Sequence, residues 1–452
     1  MTKLSSLPLA LIACITFANA EVYNGTCGAE GDGSNLHWSL NSDTKILTIT
    51  GSGSMANYTW TNYSPWQSYA YQNMIDTIIL PEGLTSVGDR AFFNISTIHS
   101  ITIPEGVLTI GEHAIRGCQN LKNVVLPNSL TTIKSQALSQ TGLKEISIPE
   151  GVSAIAHDAF YLCSDLTSII WNAKNFLSPS SEVYAPFYSI ASQITSFVFG
   201  EDIENIPDYL CVNMSNISNI TLPATTKHIG EGVFYYCSGL SEIELPETLI
   251  TIDDFAFIGC SSLSAITIPY NVTTFGDNVF GGCSNLITIH YNAKDCVTRR
   301  FFGSDTEQGQ VKYFTIGEGV EVLPNNLCSD MMLLEEINIP STVKSIGDNA
   351  FALCQKIDRM DVYAINPPEV QANTFYGVSR QAPVYVPDES YSSYKNHPLW
   401  GELNIIGRSQ APTALDQITN DQSPITNKII RDSQILILRG DRTYTLTGQE
   451  IR

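Results

Sequence analysis

The sequence predicts an α/β solenoid, dominated by β-structure, of about ten coils with a β-rich N-terminal cap and an α+β C-terminal cap. Three observations predict it. First, a proline returns every 23 residues, from Pro81 to Pro104 to Pro127 and again from Pro223 to Pro246 to Pro269. Second, one phrase travels with that proline and with Pro149 and Pro340: apolar-x-x-Ile-x-Ile-Pro-x-x-Val-x-x-Ile-Gly-x-x-Ala-Phe-x-x-Cys. Third, Gly200 and Gly317 take the proline slot after longer units of 51 and 48 residues, because Pro223 and Pro340 each follow 23 residues later. A fixed period of this size marks a supersecondary unit that cannot bury its apolar face alone and must stack.

Residues 1–20 read as a secretory signal, with Lys3, an apolar run from Leu7 to Phe17 and the small-x-small site Ala18-Asn19-Ala20. Leu11-Ile12-Ala13-Cys14 fits a lipobox locally, but the apolar run continues past Cys14. Residues 21–75 form the N-terminal cap. There Leu36 to Leu40 and Ile46 to Ile49 alternate around a polar turn, a hairpin signal.

Residues 76–356 form the solenoid. In the unit from Leu240 to Cys260, Leu240, Ile243 and Leu245 alternate with Glu242 and Glu244, a half-buried strand. Pro246 ends it because proline cannot donate to a ladder. Leu249 and Ile252 continue inward, Ala256-Phe257 make a tight helical turn, and Cys260 closes the coil. Gly88, Gly111, Gly230, Gly276 and Gly347, seven residues after the proline, mark positive φ or close backbone approach. The two long units read as insertions at 171–192 and 291–310, opening on Trp171-Asn172-Ala173-Lys174 and Tyr291-Asn292-Ala293-Lys294. They lie 120 residues apart, as expected if a block of about five repeats was duplicated.

Residues 357–408 form the C-terminal cap, with short strands at Asp361 to Ala364 and Val384 to Val386. Asp388 is placed to cap a helix carrying Tyr391 and Tyr394, with Trp400 beyond. Residues 409–433 read as a polar linker, and 434–452 as a compact β-like tail.

The net charge is −21 and the pI about 4.6, which disfavours nucleic acid and anionic membranes as partners. No later run is long and apolar enough to span a membrane. Of eleven cysteines, Cys118, Cys163, Cys237, Cys260, Cys283 and Cys354 sit 14 residues after their slot, and Cys211 and Cys328 sit 11 after theirs. One recurrent phase implies a stacked ladder of free, buried thiols rather than disulfides or zinc ligands.

These phrases resemble the BspA-like leucine-rich repeats, the 23-residue class of surface proteins in Bacteroidota and some mucosal parasites. Ile103-Pro104-Glu105-Gly106-Val107 and Ile346-Gly347-Asp348-Asn349-Ala350-Phe351-Ala352-Leu353-Cys354 carry the likeness. The unit at Pro127 departs from it, with Lys134 at the glycine position and no cysteine. The resemblance implies a leucine-rich-repeat solenoid in an exported, non-enzymatic binding or adhesion protein, recognising host matrix proteins, cell surfaces or glycans. A glycan-capture protein for nutrient uptake is the alternative. The stretch from Ile435 to Ile451 is similar to the C-terminal sorting tails of Bacteroidota type IX secretion, which implies a secreted or outer-membrane surface location.

Candidate ligand-binding residues are aromatic: Tyr58, Trp60, Tyr63 and Trp66 near the front, and Trp171, Tyr184 and Tyr291 in the two insertions. Aromatics stack on sugars and anchor protein partners, but the front group also suits a lid on the first coil, and the insertion group suits packing within the solenoid. Arg439-Gly440-Asp441 is explained by a turn in the tail. The seven histidines form no ligand spacing, and there is no nucleophile elbow, phosphate loop or dinucleotide fingerprint. No catalytic, cofactor-binding or metal-ligating residue is therefore expected.

Overall fold

The computed structural model describes residues 20–68, 71–294, 296–298, 301–302 and 310–411, and four strands beyond them. The segment before Ala20, Tyr69, much of 291–310 past Lys294, residues 412–426 and Gly440-Asp441 lie outside the described residues.

The chain is a β-solenoid of about 13 turns. Each regular coil has one strand before the slot residue and a second, two-residue strand after it. Both stack in parallel on their counterparts in the next coil. Glu145–Ile148 pairs with Ser168–Trp171, which pairs with Ser196–Phe199. On the second side, Asn205–Ile206, His228–Ile229, Thr251–Ile252 and Thr274–Phe275 pair in series.

The coil count exceeds the expected ten because the two presumed insertions are coils and the expected C-terminal cap begins with another, whose strands Arg359–Val362 and Glu369–Val370 continue the two parallel ladders. Ser168–Trp171 and Thr288–Tyr291 pair in register with a strand on either side, so Asn172 and Asn292 are slot residues, each 23 after a proline. The extra length lies within these coils, after Lys174 and Lys294. Each asparagine also dictates its successor. A Cβ on Gly200 would lie 2.6 Å from Asn172 Oδ1, and one on Gly317 2.2 Å from Asn292 Oδ1. Each glycine N–H donates to the preceding coil, to Trp171 O and Tyr291 O, both at 2.8 Å. Proline could do neither. The two gaps in the proline period thus have one cause.

The third side is a turn ladder, and no helix forms at Ala256-Phe257. Counting the slot as zero, N–H groups at positions 9, 11 and 13 donate to carbonyls at 8, 10 and 12 of the next coil. Arg90, Phe92 and Asn94 donate to Glu112, Ala114 and Arg116, and Gly232, Phe234 and Tyr236 to Asp254, Ala256 and Ile258. Positions 9 and 13 hold positive φ, as at Tyr209 and Phe255, or Leu162 and Tyr236. The glycines at position 7 do not. They answer to close approach: a Cβ on Gly276 would sit 2.3 Å from Asp254 N, and one on Gly347 2.5 Å from Asn325 N.

The position-11 side chains form a buried column, aromatic in runs and interrupted by Ile115, Leu138, Cys211 and Cys328. Phe257 is stacked between Phe234 and Phe280, with centroids 5.2 and 5.6 Å away. Trp66 extends the column in front of Phe92, and Trp400 closes the other end against Phe375 and Tyr394. Beside it runs the thiol ladder, all ten described cysteines being buried and unpaired. The position-14 thiols are more than apolar filler. Cys118, Cys163, Cys237, Cys260, Cys283 and Cys354 each donate to the position-11 carbonyl of the preceding coil, at 3.0–3.2 Å. Cys211 and Cys328 belong elsewhere, since they occupy the aromatic position and their carbonyls accept from Cys237 and Cys354. Methionines Met214 and Met331 fill position 14 in those coils.

At the front, Leu36–Asn41 and Ile46–Ser54 pair antiparallel, and the second strand continues into parallel pairing with the first coil. At the back, Asp388 caps no helix, for its carboxylate accepts from the Ser409 N–H and hydroxyl instead. The only α-helix among the described residues is Tyr391–Lys395, from which Tyr394 points inward and donates to Ala364 O. Asp361, nearly inaccessible, is paired with Arg359 at 2.6 Å and Arg408 at 3.2 Å. Beyond the polar stretch, Asn427–Arg431, Gln434–Arg439, Arg442–Thr445 and Glu450–Ile451 form an antiparallel sheet. Its first strand falls within the expected linker.

Two outcomes follow from the core. Phe257→Ala removes a fully buried ring from the column and should cost about 3–5 kcal/mol in denaturant unfolding. The thiols of Cys118, Cys237 and Cys354 are pushed up to about 12 by burial, so iodoacetamide at pH 8 should leave them unlabelled in the native protein and label them all after denaturation. A native disulfide found by mass spectrometry would overturn the ladder.

Candidate functional site

The slot phase decides which aromatics reach solvent. Trp171 and Tyr291 stand one residue before their slots, where the strand's alternation points them inward, and both are fully buried. Trp66 lies in the aromatic column, with Tyr58 packed edge-on against it at 6.1 Å. These four therefore hold the core together and cannot touch a ligand in the folded state. Trp60, Tyr63 and Tyr184 remain exposed, each at 51–56%.

The exposed residues of greatest interest lie on the turn side. Phe187 stacks on Phe160 across adjacent coils, so Tyr161 and Tyr188 occupy the same place, just after the buried ring. Tyr235 follows Phe234 in the same way. Leu162 and Tyr236 take the next position, where positive φ turns the side chain outward along the coil. Two glycines give the rings room. A Cβ on Gly232 would lie 2.5 Å from the Tyr209 ring, and one on Gly259 2.4 Å from the Tyr236 ring. Tyr184 meets His157 edge-on at 5.7 Å, and Tyr235 meets Tyr236 at 4.6 Å. The result is an aromatic flank across four successive coils. Sequence reasoning missed Tyr161, Tyr209, Tyr235 and Tyr236. Aligning the two positions between the buried Phe and Cys would have found most of them.

Trp60 stands at the front of the same flank. Its ring lies over the Arg90 guanidinium at 4.4 Å and meets Phe93 edge-on at 5.3 Å. Arg90 reaches Glu112 at 3.4 Å, and Glu112 reaches the buried His113 at 3.1 Å. Burial, then Arg90, lowers the His113 pKa, so this imidazole is neutral at pH 7.

Charge divides the chain sharply. Between 149 and 291 there are fifteen Asp and Glu against two Lys and no Arg, a formal charge of −13 out of −21. Both lysines are occupied: Lys174 by Glu150 and Asp202, and Lys227 by Glu204. At the corner between the second strand and the turn side, Asp208, Glu231, Asp253 and Asp254 line one depression in successive coils. Asp208 Oδ1 accepts the Glu231 N–H at 2.9 Å, and Asp254 Oδ1 the Asp277 N–H at 2.7 Å. Among the described residues, no group of three or more His, Cys, Asp or Glu is arranged to hold a metal ion.

Burial, then the carboxylates of Asp208 and Asp254, raises the Asp253 pKa above its ordinary value. A raised carboxyl costs nothing below its unfolded pKa, and the penalty grows as pH rises through the folded pKa. Asp253→Asn should therefore raise the melting temperature at pH 7 and leave it unchanged at pH 3. An equal shift at both pH values would reject the electrostatic cause.

A family model described as BspA type leucine rich repeat region matches residues 61–177, 182–307 and 306–397, in six copies. No curated protein matches the chain. Among solved structures, a leucine-rich repeat protein from Bacteroides ovatus is 21% identical, over 87% of this chain and 99% of that one, with a TM-score of 0.43. The pneumococcal vaccine antigen PcpA is 19% identical, over 85% and 99%, with a TM-score of 0.34. A leucine rich cell surface protein from Faecalibacterium prausnitzii is 19% identical, over 75% and 95%, with a TM-score of 0.26. With repeats matched across most of its length and the coils they imply stacked in register, the chain belongs to the BspA type leucine-rich-repeat family.

Proposed function

We infer that this is an exported, non-enzymatic binding protein that presents the flank of its solenoid to a macromolecular ligand outside the cell. The observation that carries this reading is the row of solvent-facing aromatics on a rigid, regularly spaced scaffold. Aromatic side chains on fixed backbone offer large contact area at low entropic cost, the signature of an interaction anchor. Stacked repeats supply the extended surface that such proteins use for binding. The signal-like segment at residues 1–20 and the tail resembling sorting sequences support a secreted or outer-membrane surface location, and no helix among the described residues is long and apolar enough to cross a membrane. Host matrix proteins and cell-surface proteins are the leading ligand classes.

A glycan-capture role is the second reading. It rests on Trp60 and Tyr63, which stand more than half exposed near the front coil.

Protein spanning 21–452, immobilised and probed with a panel of extracellular-matrix proteins and a glycan array, separates the two. Saturable matrix-protein binding supports the first, sugar binding lost in Trp60→Ala the second, and turnover of any probe would revive an enzymatic reading. Export has its own check. The mature N-terminus should be Glu21, and a chain ending at Ser409 should fold but fail to reach the cell surface. Equal surface display of that shortened chain would reject the sorting role, and a lipidated Cys14 would replace cleavage after Ala20 with anchoring.

A further inference from the structure

We propose that the turn side of the central coils is the docking surface, and that its occupant is a cationic polypeptide segment carrying arginine or lysine among apolar residues. This rests on the reading of the chain as a binding protein and names its face and its partner's chemistry.

The apolar half of the surface is already built. Tyr161, Leu162, Val183, Tyr184, Tyr188 and Tyr236 stand 38–55% exposed in coils that are close neighbours along the axis. Two of them are held by the turn ladder, where the Gln140 N–H donates to Tyr161 O and the Tyr236 N–H to Ile258 O, and the Tyr236 ring lies along Gly259 of the next coil. Tyr161 and Tyr236 therefore have little backbone freedom left to lose on binding. Val183, Tyr184 and Tyr188 sit instead on the short 3-10 turns Glu182–Tyr184 and Tyr188–Gln193.

The polar half is of one sign. Glu182, Asp208 and Glu231 gather around the Tyr209 ring, and its hydroxyl donates to the Glu231 carboxylate. No arginine lies between 149 and 291, and the two lysines there are paired with carboxylates. The protein thus supplies aromatic faces and anions, and leaves the cations to be brought by the partner. Guanidinium and ammonium groups satisfy both halves at once, over Tyr rings and against carboxylates. An acidic saccharide, a nucleic acid or an anionic membrane would meet uncompensated negative charge. The outward face of the first strand offers a poorer site. Its central column reads Thr221, Glu244 and Thr267, short or charged side chains with no aromatic among them.

The test uses protein spanning 21–452 and a fluorescein-labelled peptide of about sixteen residues in which arginines alternate with leucine and tyrosine, with a copy carrying glutamine for every arginine. Anisotropy should show saturable binding of the arginine peptide, at least about tenfold weaker binding of the glutamine copy, and weakening with added salt. Tyr184→Ala with Tyr236→Ala should weaken binding about fivefold or more, while Tyr184→Phe with Tyr236→Phe retains it. Glu182→Gln with Glu231→Gln should also weaken it. Glu242→Gln with Glu244→Gln removes the same charge from the strand face of nearby coils and should leave affinity within about twofold. Equal weakening by that control pair would reduce the effect to bulk charge and overturn the assignment of the face. Equal binding of both peptides, or binding of a sulfated saccharide that is lost in the tyrosine-to-alanine pair, would overturn the assigned partner. Melting curves within a few degrees of the parent keep loss of fold out of the comparison. If the parent protein ignores the arginine peptide yet captures ligands from the matrix or glycan panel, this inference fails and the wider reading stands. If it captures nothing, both fail.

Discussion

Every coil must lie about 4.8 Å from the next, because each side of the coil spends its backbone donors on its neighbour. That spacing is the constraint from which the rest of the structure follows. It requires neighbouring coils to share one shape, so a change in one slot is answered in the next. Asn172 and Asn292 show this most clearly, as each leaves no room for a side chain in the following slot, and glycine stands there. The position-7 glycines answer the same demand, with the previous coil's backbone where a Cβ would go. Close stacking also brings each position-14 thiol within reach of a carbonyl one coil back. A residue chosen for size thus also caps a second lone pair in a place where water cannot enter.

The same spacing sorts the aromatic residues. A ring at position 11 can only stack on its equivalents and fill the interior, and Trp66 and Trp400 close the two ends of that stack. Position 13 faces outward at Leu162 and Tyr236, and position 12 does so at Tyr161, although Val212 and Ile258 are buried there. Tyrosines appear there in the central coils, whereas glycine or alanine occupies several of the same positions further on, at Gly281, Gly282 and Ala352. The aromatic flank is therefore local. It coincides with the stretch from which basic residues are nearly absent, and that coincidence gives the surface a chemical character as well as a location.

Much of the fold was legible in the sequence. The proline period, the alternation around Ile243 and the phase of Cys260 each reflect contacts within one coil or with its direct neighbour, and such contacts leave a periodic record. Trp171-Asn172 and Tyr291-Asn292 were harder, because a slot without proline or glycine carries no punctuation and only strand register identifies it. The turn side was equally hidden, since residues such as Phe255 and Tyr236 adopt positive φ without being the residue types that announce it.

By itself, the sequence determined the repeat, the parallel stacking, the buried column of Phe and Cys and the acidic balance, because each depends on residue type at a fixed interval. Only the tertiary structure decided which aromatics are available. Tyr58, Trp66, Trp171 and Tyr291 are as aromatic as Tyr161, Tyr184 and Tyr236, and composition cannot separate them. The physical reason is that burial depends on phase within the coil and on what the neighbouring coils place above and below, and neither is fixed until every slot has been assigned.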